Sequence, residues 1–130
     1  MTRHVCKFFL VFAVWFLLQG VSVSQASDPS GRWTGTWSSG ATGHRGTLRA
    51  RIRPVNDQTY RAIFAGRFAK VIPFVYPAKL TRVPGTYDRY ESSTRLPLLG
   101  EYRMRASISA NRFYATFQGR SDSGIFQMTR

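Results

Sequence analysis

Residues 47–53, TLRARIR, set an arginine at every second place, with Leu48, Ala50 and Ile52 between them. Successive side chains of an extended chain leave on opposite sides, so such a run has one wet face and one apolar face. The pattern recurs. In residues 58–70, QTYRAIFAGRFAK, Tyr60, Ala62, Phe64, Gly66 and Phe68 share one face, while Arg61, Ile63, Ala65, Arg67 and Ala69 share the other. In 100–110, Tyr102, Met104, Ala106 and Ile108 alternate with Arg103, Arg105, Ser107 and Ser109. In 112–120, Phe113, Ala115, Phe117 and Gly119 oppose Arg112, Tyr114, Thr116, Gln118 and Arg120. Past residue 26 no comparable stretch has a helical period. The chain reads as all-β.

Turn residues cut it at even spacing, at 38–43, 56–57, 84–85, 97–100, 111 and 122–124. The spacing predicts strands near 31–38, 45–54, 59–69, 73–82, 86–96, 101–109, 112–120 and 124–130, joined by short hairpins. Pro73 and Pro77 each lack a ladder donor, so the fourth strand is expected to hold an edge, bulge or break. With no helix to cover the apolar face, the sheet must fold over as a sandwich or close on itself. Consecutive hairpins favour the eight-stranded antiparallel up-and-down barrel, which removes exposed edges; a β-sandwich is the alternative.

Parity then sorts the side chains. Twelve aromatics fall on the inward side: Trp33, Trp37, Tyr60, Phe64, Phe68, Phe74, Tyr76, Tyr90, Tyr102, Phe113, Phe117 and Phe126. Inward glycines and alanines between them suit a narrow, curved interior. The arginines face outward, which argues against a membrane-spanning barrel, whose outer face meets lipid.

The first 26 residues have the three parts of an export signal. Arg3, His4 and Lys7 give a positive start, residues 8–18 an apolar run, and Ser24-Gln25-Ala26 a small-residue cleavage site. Eleven apolar residues fall short of the roughly 20 that a membrane helix needs. The expected organisation is a signal peptide, 1–26, and a single barrel domain, 27–130. That places the protein outside the cytoplasm: periplasm, cell surface or extracellular space. Cys6, the one cysteine, lies in the leader, so no disulfide staples the domain. Removing Arg3 and Lys7 leaves seventeen basic residues, fifteen of them arginine, against six acidic ones. Guanidinium forks match phosphate, sulfate and carboxylate, so this field selects anionic partners.

The segment GRWTGTW, with Gly31-x-Trp33 opening the first strand, resembles the corresponding segment of lipocalins and avidin-like proteins. The resemblance implies an exported, calycin-type eight-stranded barrel, with Trp33 at a closed end beside a late arginine, Arg120 or Arg130. No counterpart of the lipocalin T-D-Y segment or of the avidin ligand set is present. The runs HRGTLRA, YRAIFAGRF and IPFVY are also similar to a small exported bacterial family of unknown function.

Catalytic chemistry finds little purchase. His44 is the one histidine after the leader, and no carboxylate is placed to form a triad or a metal site with it. Asp88, Glu91 and Glu101 stand among Arg89, Arg95 and Arg103, as surface ion pairs do. The expectation is a non-enzymatic binder without cofactor or metal. Its candidate anion-binding residues are Arg49, Arg51, Arg53, Arg61 and Arg67 on one wall and Arg103 and Arg105 on another. The partner would be an acidic polysaccharide or a lipid headgroup surface. Nucleic acid is disfavoured, because rings that would stack on bases face inward. The alternative is a carrier of a small apolar ligand, with Trp33, Trp37, Tyr76, Tyr90, Ser92 and Thr94 lining its pocket.

Overall fold

Eight antiparallel strands in sequence order close into one barrel in the computed structural model, which describes residues 28–68 and 71–130. They are β1 (Gly31–Ser39), β2 (Arg45–Pro54), β3 (Thr59–Phe68), β4 (Ile72–Arg82), β5 (Arg89–Leu96), β6 (Gly100–Ile108), β7 (Arg112–Gln118) and β8 (Ser123–Thr129). Pairing of β1 with β8, from Thr34↔Thr129 to Ser39↔Gly124, closes the sheet. The described residues hold no helix, so the apolar face covers itself by closure. The expected leader, 1–26, lies outside the described residues.

The sandwich alternative is thereby set aside. Strand limits match the turn chemistry with one notable shift. β5 begins at Arg89 rather than at residue 86, because the Thr86 hydroxyl donates to the Val83 carbonyl at 2.8 Å and holds a turn there. The two prolines act on the ladder, not on the strand. β4 runs unbroken and pairs with β3 along its whole length, Phe68↔Ile72 to Thr59↔Thr81. Towards β5 it pairs only at Thr81↔Glu91 and Arg82↔Tyr90, beyond both Pro73 and Pro77. The expected weakness is a seam in the wall.

Inward residues follow the alternation. Trp33, Phe64, Phe113 and Ala115 are fully buried, and Phe117 is 7 % exposed. Phe64 meets Phe126 at 5.1 Å, Phe113 at 5.7 Å and Tyr76 at 5.9 Å between ring centres. Phe68 departs from the inward set. As the last residue of β3 it has no wall beyond it, and at 37 % exposure it lies on the rim, stacked on Trp37 and edge-on to His44.

The ends of the barrel differ. At one, Arg130 stands 4.3 Å over the Trp33 ring and donates to the carbonyls of Ala110, Ser30 and Asp28 at 2.6–2.7 Å. Trp33 Nε1 donates to the Pro29 carbonyl at 2.9 Å. Of the two arginines open from sequence, Arg130 is the one beside the tryptophan. Arg120 lies at the other end, against Gly100. One guanidinium thus ties together the start of β1, the β6–β7 turn and the chain end. Arg130→Ala is expected to cost about 2 kcal/mol, or about 10 °C in melting temperature. Arg120→Ala should leave thermal unfolding within about 0.5 kcal/mol of the parent.

Candidate anion-binding wall

The outer positions of β1–β4 carry arginine in register. Arg53 stands opposite Arg61, and Arg61 opposite Lys79, so three strands contribute one cationic row. Arg51 stands opposite Arg32 on the other side of β2, and Arg49 opposite Thr34. All are exposed. The four strands contain no aspartate or glutamate. Directly opposed side chains lie within about 5 Å at Cβ, and like charges placed so destabilise a sheet. Arg32 and Lys79 were not among the sequence candidates. Parity already turned both outward, but only the pairing register sets them against Arg51 and Arg61.

Arg67 belongs to the same face at its far end, opposite Pro73. A groove of about 830 Å³ lies there, lined by Thr36, Arg45, Thr47, Arg67 and Gln127 and edged by Trp37. The Trp37 Nε1 donates to the Arg67 carbonyl at 3.2 Å, which fixes the backbone beneath that guanidinium.

The second wall has another character. Arg105 stands opposite Glu91, and Arg95 opposite Glu101. Arg103 pairs with Glu101 at 3.6 Å, the one ion pair among the described residues. The Ser93 hydroxyl donates to Glu101 at 2.6 Å; with the nearby Arg103 it holds that carboxyl below its usual range. Arg103 and Arg105 are therefore largely answered by acids of β5 and β6. Arg49, Arg51, Arg53 and Arg61 are not. The two sets look alike along the chain, and the register separates them.

The residues of the alternative pocket point inward, as read, but to different ends. Trp33 and Tyr90 belong to the end closed by Arg130, where Arg82 Nη2 donates to the Tyr90 hydroxyl at 2.8 Å. Trp37 belongs to the opposite rim, packed edge-on by Phe74 at 5.5 Å. Tyr76, Ser92 and Thr94 do converge, across β4 and β5. The Ser92 and Thr94 hydroxyls are 3.5 Å apart, and the buried Tyr76 hydroxyl has no hydrogen-bond partner. Burial raises the Tyr76 phenol above its usual pKa; the nearby Thr94 hydroxyl, outside good hydrogen-bond geometry, offsets part of this. His44 lies in the β1–β2 turn with its ring 4.6 Å from that of Phe68. No group of three or more metal-ligating side chains occurs among the described residues.

The outer positions of β1–β4 are thus an acid-free array of guanidinium groups with one ammonium, of a kind that pairs with phosphate, sulfate or carboxylate. No protein-family model matches the chain, and no curated protein matches its sequence.

Proposed function

We propose that this protein is an exported, non-catalytic binder of lipocalin/avidin-like build that grips an anionic extracytoplasmic partner through its β1–β4 wall. The observation that carries the reading is the row Arg53–Arg61–Lys79 beside Arg32–Arg51, on four strands that hold no acid. A sheet that keeps like charges opposed pays in stability, and a bound polyanion relieves that repulsion while holding the groups in place. An acidic polysaccharide, presenting charge at regular intervals along a chain, fits a row of cations set one strand apart.

The test compares two charge-matched variants on a sulfated-polysaccharide resin. Arg49→Glu/Arg51→Glu/Arg53→Glu is expected to elute at much lower salt than the parent. Arg89→Glu/Arg103→Glu/Arg105→Glu, with the same change in net charge, should lose far less. The parent's retention should fall steeply with ionic strength, as exposed charge contacts do. Equal losses from the two triples would mean that net charge alone is read, and the wall would lose its role.

A second reading, a carrier of a small apolar ligand, draws support from one feature. The unpartnered Tyr76 hydroxyl, near Ser92 and Thr94, offers a polar contact inside an apolar barrel. The ring contacts of Phe64 speak for a filled interior instead.

A further inference from the structure

The rim away from Arg130 exposes apolar side chains on two successive hairpins. Val71 and Ile72, entering β4, are 78 % and 57 % exposed; Leu98 and Leu99, between β5 and β6, are 104 % and 57 % exposed. Isolated exposed leucines are ordinary, but apolar tips grouped at one end of a barrel are a contact surface. Leu98 adds a backbone observation. Its φ is +67°, a conformation that glycine or asparagine adopts at less cost than leucine. The turn therefore holds a leucine where the backbone disfavours it and no part of the described protein receives its side chain.

The charges around these tips choose the partner. Arg45, Arg67, Arg95 and Arg120 are all exposed at this rim. A depression of about 470 Å³ beside Leu98 is lined by Arg95 and Arg120, and Arg120 lies directly over Gly100. Both acids of this end are engaged already, Asp122 by the Ser39 hydroxyl at 2.5 Å and Glu101 by Ser93 and Arg103. A second copy meeting this rim would oppose four arginines to the same four. An anionic bilayer instead offers acyl chains to the tips and phosphates to the guanidinium groups at their base.

We infer that this rim docks on an anionic lipid surface, with Val71, Ile72, Leu98 and Leu99 entering the interface and Arg95 and Arg120 at headgroup depth. The inference goes beyond the polyanion reading and can hold or fail separately. Its apolar tips and Arg95 and Arg120 lie outside that wall, and only Arg45 and Arg67 stand where the two surfaces meet. All eight strands and the closure lie within residues 28–130, so that segment is the one to test.

The experiment measures partition onto vesicles of phosphatidylcholine alone and of phosphatidylcholine with a minority of phosphatidylglycerol. The parent is expected to bind the anionic vesicles much more strongly. Val71→Ser/Ile72→Ser/Leu98→Asn/Leu99→Ser should weaken that binding by at least about tenfold. Its melting temperature should not fall, because asparagine suits the turn, and its retention on the sulfated resin should be unchanged. An environment-sensitive dye on Leu98→Cys should shift to the blue with anionic vesicles, while the same dye on Val55→Cys, in the β2–β3 turn at the opposite end, should not. Undiminished vesicle binding by the quadruple variant would show adsorption by charge alone and overturn the inference. So would a parent that dimerises through these tips and leaves vesicles untouched. If the arginine-wall triple loses the resin while the tips still carry the bilayer, the two surfaces are separate sites.

Discussion

Gly35→Ala is expected to cost the barrel about 3 kcal/mol or more, a fall of about 12–24 °C in melting temperature. Gly35 sits in β1 opposite Met128 of β8, on the seam that closes the sheet. A methyl group there would run into the Gln127 carbonyl oxygen and come within 2.6 Å of the Met128 Cα. Both obstacles are backbone, so no rotamer change makes room. Gly124, on the β8 side, repeats the situation: an added Cβ meets the Ser38 carbonyl oxygen and lies 2.6 Å from the Phe117 ring. Gly124→Ala should therefore resemble Gly35→Ala in size. The control is Gly40→Ala, whose new Cβ would find its nearest neighbour at 3.7 Å; it should stay within about 0.5 kcal/mol of the parent. Thermal or denaturant unfolding of the three variants measures this. Equal stability of Gly35→Ala and Gly40→Ala would mean that the closing strands do not approach so closely.

The same glycines show what the sequence discloses and where it stops. Alternation alone placed Phe64 and Phe117 inward and Arg49, Arg51 and Arg53 outward, because one-residue parity is a local property of an extended chain. Alternating small and large inward residues also signalled a tightly curved wall. Trp37 opposite Gly46, Phe74 opposite Gly66 and Phe117 opposite Gly124 are that signal in three dimensions, each ring lying over a backbone without a side chain. Pairing is not local. That Glu91 faces Arg105, and that Arg51 faces only Arg32 and Ile63, depends on which residues stand across neighbouring strands. Hairpin lengths would have hinted at it, yet a shift of two residues keeps the parity and changes every partner. Pro73 and Pro77 announced a missing ladder without saying on which flank. The turn at 97–100 was legible, but Leu98 gave no warning of its positive φ, since leucine is not a residue that signals that conformation.

That division bears on the function as well as on the fold. The residues legible from parity define how basic the exterior is, and a basic exterior is compatible with many anionic partners. The residues legible only from register decide where the charge is left unanswered, and that is a property of one wall. A polymer lying across β2, β3 and β4 would meet Arg53, Arg61 and Lys79 in a line, at strand spacings of about 4.8 Å. The same polymer crossing β5 and β6 would meet Glu91 beside Arg105, or Glu101 beside Arg95, an acid against the arginine in either row. On the proposed reading, selectivity for one side of the barrel would need no pocket.

Phe64→Ala decides between a filled interior and a carrier. Phe64 has no exposure and makes ring contacts with Phe126, Phe113 and Tyr76 from the middle of β3. Removing it deletes the apolar contacts and leaves a void that three neighbouring rings fill only in part, at a cost of about 4 kcal/mol. A small domain with about 5–15 kcal/mol in hand would remain folded but visibly weakened. The informative measurement is binding of a small apolar probe such as benzene to parent and variant. If the rings fill the parent barrel, the probe should bind the variant alone and restore part of its melting temperature, because a dry apolar cavity accepts such a molecule. Equal binding by the parent would show that space already exists beside Tyr76, Ser92 and Thr94, and the carrier reading would then take precedence for the interior. The arginine wall is outside the barrel in either case, so its retention on polyanion resin should not change with Phe64→Ala as long as the sheet stays closed.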